Sequence, residues 1–152
     1  MGSDLIFEVL WGAFVGMMVG GVTRLFTTGL SGEVRWHENE EIKKQIVGTR
    51  ALVSPLLGII LGVFFGGLLT AVYDSNGSGD VELQIHRVVI WAIAGALIGV
   101  KGFEGEGSFC YLVLSSKSKE QWTAEDHQAL KRVKVYAVIG AVAGFSIWFV
   151  GK

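Results

Sequence analysis

Two charged side chains lie inside the first long apolar stretch of the chain. Residues 5–26 are almost entirely apolar or small, apart from Glu8 and Arg24. The two are sixteen positions apart, about 24 Å along a helix, so they cannot pair within it. Each could extend along the apolar surface to its own membrane interface. Alternatively, either one could line a polar path between helices, which would serve ion movement.

Other residues with the potential for chemistry do not form a recognisable site. His37 with Glu40 and Glu41 has helical metal-ligand spacing, but such clusters in charged loops are usually solvated. The remaining histidines lie in separate polar segments, and Cys110 stands beside Phe109 as a small apolar residue would. No Ser-His-Asp, Cys-His or paired-carboxylate pattern is present. We therefore expect no catalytic residue, no bound metal and no cofactor, and predict that the protein is not an enzyme.

The strongest pattern is a repeated spacing of small residues at every fourth position. Residues four apart lie on one side of a helix, so each series forms a groove that a second backbone can approach closely. We call these series glycine rows. They predict helix-packing positions at Gly12, Gly16 and Gly20; Gly58, Gly62 and Gly66, preceded by Ser54; Gly95 and Gly99; and Gly140 and Gly144.

The composition agrees with a membrane protein. The chain has 152 residues, of which 51% are hydrophobic and 18% charged, and its 22 glycines lie largely inside apolar runs. Soluble domains carry about 25% charged residues. The formal net charge of −1 argues against a nucleic-acid partner. We predict an all-α, integral-membrane fold of one domain, covering residues 1–152, with four transmembrane helices packed through glycine-zipper faces.

The apolar runs and turn signals set the predicted boundaries. We place spans at residues 5–26, 55–73, 85–103 and 134–150, joined by polar connections at 27–54, 74–84 and 104–133. Ser54 and Pro55 suit the N-cap and first turn of the second span; if that helix begins upstream, Pro55 marks a kink instead. The third span is short: either it recruits flanking residues, with His86, Arg87 and Lys101 reaching toward headgroups, or it thins the bilayer locally. Thr123 has the sequence context of an N-cap.

Basic residues predict the orientation. Five Lys or Arg residues lie in or beside the first connection and six in or beside the third, against one in the second and one at the C-terminus. By the positive-inside rule, the first and third connections face the cytoplasm or matrix, and both termini face the opposite side.

Two resemblances to known families follow from these residues. The run from Gly12 to Gly21, the segment from Trp91 through Gly95 and Gly99 to Gly102, and the pair Gly140 and Gly144 resemble helices of the mitochondrial inner-membrane protein-import family, which includes an accessory subunit of respiratory complex I. That resemblance implies four short glycine-rich helices in the mitochondrial inner membrane, or in the bacterial inner membrane for a prokaryotic chain. The second resemblance is weaker: Gly20 to Arg24 is similar to the first-helix signature of small fluoride channels.

Together these features predict a structural role. We expect an accessory subunit of a larger inner-membrane assembly, of respiratory-complex or translocase type, whose partners are the lipid bilayer and either other membrane subunits or further copies of itself. The alternative is a small ion channel or transporter that uses Glu8 and Arg24.

Overall fold

The computed structural model describes residues 2–31, 38–68, 81–102 and 118–151. Four long helices account for nearly all of them: α1 (Gly2–Ser31), α2 (Glu40–Gly62), α3 (Val81–Gly102) and α4 (Ala124–Val150). The chain continues from α2 as a π-helix, Val63–Leu68, and a 3₁₀ turn, Lys119–Gln121, precedes α4. Each long helix contains a stretch apolar and long enough to cross a membrane. The expected all-α fold, with four helices that are each long and apolar enough to span a membrane, is therefore confirmed.

The helices extend beyond the apolar spans predicted from the sequence. α1 runs to Ser31 and α4 begins at Ala124, so both include residues that we assigned to polar connections. A helix need not end where the hydrocarbon ends, because its backbone hydrogen bonds hold equally well in the interface. Residues 74–80 of the predicted connection 74–84 lie outside the described residues, as do Cys110 and His37.

The second helix begins fifteen residues before Pro55, so the predicted start at Ser54 is wrong. Asn39 is the N-cap, and its side-chain oxygen accepts a hydrogen bond from the Glu41 backbone N–H at 2.9 Å. Pro55 therefore lies inside α2, in agreement with the alternative in which the helix begins upstream. Membrane helices tolerate an internal proline where neighbouring helices satisfy the backbone group that it leaves unbonded. Ile42 and Ile46, which lie in the predicted polar connection 27–54, belong to the first turns of α2.

The start of the fourth helix agrees with the prediction. The Thr123 hydroxyl accepts from the Asp126 backbone N–H, and the Asp126 carboxylate accepts from the Thr123 N–H at 2.9 Å. This capping box satisfies two backbone donors that would otherwise lack partners at the helix end.

The helices associate as two antiparallel pairs. α1 packs chiefly along α4, and α2 chiefly along α3, while α1 also touches α2 and α3, and α3 also touches α4. Within each pair the backbones come very close: a Cβ added at Gly12 would collide with the carbonyl oxygen of Gly140, and one added at Gly58 would collide with that of Gly95. Contacts this close require that both positions lack a side chain.

The contacts of one pair reproduce those of the other, position by position. Gly16 approaches the Tyr136 carbonyl as Gly62 approaches that of Trp91. One turn further, Gly20 meets the Tyr136 ring, whereas Gly66 meets the Trp91 ring. At the opposite end, Gly144 abuts the Glu8 carbonyl and Gly99 that of Ser54.

The two helix pairs point in opposite directions across the bundle. In the relation between them, α1 corresponds to α2, and α4 corresponds to α3. α1 and α3 run parallel, since Glu8 and Arg87 meet near the N-terminal ends of their helices, so α2 runs opposite to α1. An axis lying in the membrane plane therefore relates the two pairs.

Candidate functional site

The charged residues of the bundle occupy two layers, one toward each end. At the first, which we call the Glu8 end, Oε1 of Glu8 on α1 lies 3.9 Å from an Arg87 guanidinium nitrogen on α3. The Arg87 side chain is 8% exposed and that of Glu8 is 21% exposed. The contact joins the two helix pairs, because α1 belongs to one and α3 to the other.

The opposite layer, which we call the Arg24 end, contains charges from three helices. Arg24 on α1, Arg50 on α2 and Asp126 on α4 are all buried. Asp126 is fixed at the start of α4 by the capping box with Thr123. Because each residue of a helix rises about 1.5 Å, the glycine contacts allow the heights of these side chains to be compared.

The heights place these charges close to one level. On α4, Tyr136 faces Gly16 and Gly20, so residues 24–28 of α1 lie level with the first turns of α4, where Asp126 is. On α3, Arg87 is level with Glu8 of α1. Gly99 is twelve residues beyond Arg87, and Gly20 is twelve residues beyond Glu8. Because α1 and α3 run parallel, Gly99 and Gly20 are therefore level. Ser54 abuts Gly99, so Arg50, one turn further, is level with Arg24.

Between the two layers most of the buried side chains are apolar. Val15 and Val19 from α1, Ile98 from α3 and Ala143 from α4 are buried there, together with the Trp91 side chain. Thr23 is fully buried beside the Arg24 end, and its hydroxyl makes no hydrogen bond to the described residues. A close-packed apolar interior of this kind presents a barrier to ions.

Glu8 and Arg24, either of which could line a polar path, lie apart in the structure. Glu8 belongs to one layer and Arg24 to the other, about 24 Å away along α1. Arg24 is 7% exposed, so neighbouring helices enclose it, whereas a residue that extends to the interface would be exposed. Arg87, expected to reach toward headgroups, is likewise buried, whereas Lys101 is exposed.

All ten glycines of the predicted packing positions lie at contacts between helices. A Cβ at any of them would come within about 2.5 Å of an atom on a neighbouring helix, whereas Gly21 and Gly48 face open space. The contact partners are backbone carbonyls at eight of the ten positions and an aromatic ring at Gly20 and Gly66.

Sequence reasoning did not predict that Arg50 and Arg87 lie inside the bundle. Ser54, which precedes the glycine row of α2, also lies there, and its hydroxyl donates to the Gly99 carbonyl at 2.8 Å. The signal was present in the four-residue spacing: Arg50 lies four positions before Ser54, and Arg87 four before Trp91. Extending the glycine rows of α2 and α3 by two steps toward their N-termini would have placed both arginines on a packing face.

No group of three or more metal-ligating side chains occurs within the described ranges. His86 lies near the Glu8 end, and its Nδ1 is 2.7 Å from the Glu82 carbonyl oxygen of its own helix. His127 packs edge-on against Trp122. Neither histidine therefore lies with the buried charges described above.

Comparison with known proteins gives no family for this arrangement. No family model matches the chain, and no curated protein or solved structure matches it. The resemblances to the import family and to fluoride channels stay predictions.

Proposed function

We propose that the protein is a structural subunit of a larger membrane assembly, and that its helices cohere through glycine-zipper contacts. The observation that supports this role is the largely apolar interior between the two charged layers. Between Glu8 and Arg24, the buried positions of α1 are glycine, valine and one threonine. This face of α1 provides packing and carries no ionisable group between the two layers.

The glycine contacts supply the cohesion that a lipid solvent cannot. Lipid tails are as apolar as the side chains, so burying Leu or Ile between helices gains little in a bilayer. Close backbone approach gains dispersion energy at many atoms instead. The ten glycines lie at the helix pairs' contact faces, where that gain is largest.

This arrangement has a consequence for where partner subunits bind. The glycine rows are occupied within the chain, so partner helices must contact the bulky outer faces. On α2 and the π-helix that continues it, exposed side chains recur at every fourth position, namely Leu52, Leu56, Ile60, Phe64 and Leu68. Ile60 is the midpoint of this stripe and is 62% exposed.

The membrane and the orientation belong to the same proposal. The resemblance to the import family favours the mitochondrial inner membrane, or the bacterial inner membrane in a prokaryote. The basic residues of the first and third connections favour placing both termini on the non-matrix, non-cytoplasmic side. A single cysteine introduced at Gly151, in a Cys110→Ser background, should be modified by an impermeant thiol reagent added from that side only.

Native purification in mild detergent tests the structural role directly. We expect partner subunits or further copies to co-migrate with the chain. Gly16→Leu and Gly62→Leu should abolish co-purification, because they separate the helices of a pair. If the α2 stripe contacts a partner, Ile60→Ala should weaken co-purification while keeping the helical content. Phe14→Ala, at an exposed position on α1, is the matched comparison. A chain that purifies alone, at one copy per particle, would contradict the proposal.

A small channel is the second candidate, and the buried charges at the Arg24 end favour it. Arg24 and Arg50 lie level with Asp126 in one buried layer, and buried charges of this kind often line ion pathways in membrane proteins. Flux through vesicles containing the purified protein separates the two functions. A channel requires ion flux that Glu8→Gln or Arg24→Gln changes, whereas a structural subunit gives no flux above that of empty vesicles.

A further inference from the structure

An open groove separates α3 from α4 on the outer side of the bundle. Its floor includes the buried residues Ala94 and Ala143. Its rims are formed by exposed aliphatic side chains, among them Ile93 and Leu97 on α3 and Val138 and Val142 on α4. The cavity volume is about 320 Å³, at the lower end of the range of ligand pockets.

The groove exists because α3 and α4 belong to different helix pairs. The glycine row of α3 faces α2, and that of α4 faces α1. Neither glycine row therefore lies at the boundary between α3 and α4. Larger side chains occupy this boundary and hold the two helices apart. The axis that relates the two helix pairs exchanges α3 with α4. It therefore passes between these two helices, and the groove lies beside it. Membrane proteins built from inverted repeats commonly bind ligands at this position.

The groove lies near the middle of the bilayer. On α3 it runs from Ile90 to Leu97, in the centre of the candidate span Glu82–Lys101. On α4 it runs from Val138 to Ser146, about 12 Å along the helix. Only the hydrocarbon region of a membrane reaches this depth.

We propose that the groove binds one hydrocarbon chain of a bilayer lipid. The lining is aliphatic except for Ser146, and the Ser146 hydroxyl donates to the Val142 carbonyl of its own helix at 2.8 Å. The walls therefore present no free donor to a headgroup, and they select for an alkyl chain. A hydrocarbon chain in the groove makes fixed dispersion contacts with both walls. Fluid lipid elsewhere on the protein surface lacks such fixed contacts.

A partner helix fits the groove less well than an alkyl chain does. A helix with its side chains is about 10 Å across, and helices approach closely in lipid through small residues. Here the small residues form the floor, and Ile93, Leu97 and Val142 stand out on the rims. The rim side chains keep the backbone of a partner helix at a distance. They leave room for an alkyl chain, which is one methylene group wide.

Photolabelling of the full chain in phosphatidylcholine vesicles tests this site. The probe is a phosphatidylcholine with a diazirine at the end of one acyl chain, and peptide mass spectrometry locates the adducts. We expect adducts at the groove rims to exceed, by at least threefold, those at Ile60 and Phe14, which the glycine contacts place at similar depth on α2 and α1. A diazirine next to the headgroup should give no such excess.

A filled groove provides the matched variant. Val142→Trp inserts a ring from the rim without touching a glycine contact, and should reduce groove labelling to the level of Ile60 while leaving helical content unchanged. Ile60→Trp, on the exposed face of α2, should leave groove labelling intact. Equal labelling at the groove and at Ile60 in the natural sequence would overturn the proposal, as would groove adducts consisting mainly of cross-links to a second copy or another protein.

Discussion

The Glu8 carboxylate on α1 lies 3.9 Å from the Arg87 guanidinium on α3, and this ion pair joins the two helix pairs at the Glu8 end. A pair that is largely withdrawn from water is costly to break, because the remaining charge stays buried. Partial exposure of Glu8 and the long distance reduce that cost here. The contact therefore acts more as a specific link between the pairs than as a main source of stability.

Neutralising Glu8 should measure this link. We expect Glu8→Gln to lower the free energy of unfolding by about 1 to 2 kcal/mol, less than for a fully buried pair. Detergent unfolding followed by circular dichroism gives the value. The control is a double-mutant cycle with Arg87→Gln, in which the two changes should be clearly non-additive. Strict additivity would mean that the two side chains do not interact.

Matched glycines in the two helix pairs should respond alike to substitution. At Gly12 and at Gly58 an added Cβ meets the carbonyl oxygen of a partner glycine. We expect Gly12→Ala and Gly58→Ala each to cost at least about 2 kcal/mol of stability, because the backbones must separate. Detergent unfolding of both variants checks the size and the equality of the losses.

Gly21 and Gly48 are the controls for this comparison, since open space surrounds both. Alanine is the better helix former by about 1 kcal/mol, so Gly21→Ala and Gly48→Ala should be neutral or stabilising. If Gly12→Ala and Gly21→Ala behaved alike, the close contacts would not carry the cohesion of the bundle.

Much of the fold could be predicted because lipid imposes simple requirements on sequence. Length and apolarity identify a membrane helix, and these indicated all four helices. The N-cap at Thr123 depends only on neighbouring residues, so it was also predictable. The dipeptide Ser54-Pro55 misled because a helix start and an internal proline look the same locally, and the true cap at Asn39 lies fifteen residues away from Ser54.

The pairing of the helices could not be predicted, because the glycine rows are nearly identical. Nothing in the spacing of Gly12, Gly16 and Gly20 distinguishes α4 from α2 as a partner. The sequence indicated Glu8 and Arg24 as candidate functional residues, but the partner of Glu8 is Arg87, 79 positions away. Such a pair depends on the arrangement of whole helices, which a single sequence does not encode in any local pattern.

The hydrogen bond between Ser54 and Gly99 should contribute modestly to the α2–α3 pair. The Ser54 hydroxyl is fully buried and donates to the Gly99 carbonyl at 2.8 Å. Interhelical hydrogen bonds in membranes contribute about 0.6 kcal/mol on average. We expect Ser54→Ala to cost about that amount in detergent unfolding, and Ser146→Ala, which loses a bond within its own helix, to cost less. A loss larger than that from Gly58→Ala would contradict the primacy of the glycine contacts.

Two threonines one turn apart on α1 should respond in opposite directions to the same substitution. The Thr27 hydroxyl donates to the Thr23 carbonyl at 2.6 Å, whereas the fully buried Thr23 hydroxyl makes no hydrogen bond to the described residues. Burying an unbonded hydroxyl costs about 1 to 3 kcal/mol, and valine has nearly the same shape. Thr23→Val should therefore raise the free energy of unfolding by about 1 kcal/mol, while Thr27→Val should lower it by about the same amount. Detergent unfolding of the two variants is the measurement. A loss of stability in Thr23→Val would show that its hydroxyl has a partner in the membrane, such as a water molecule held beside Arg24 and Arg50, and would make the Arg24 end a hydrated layer.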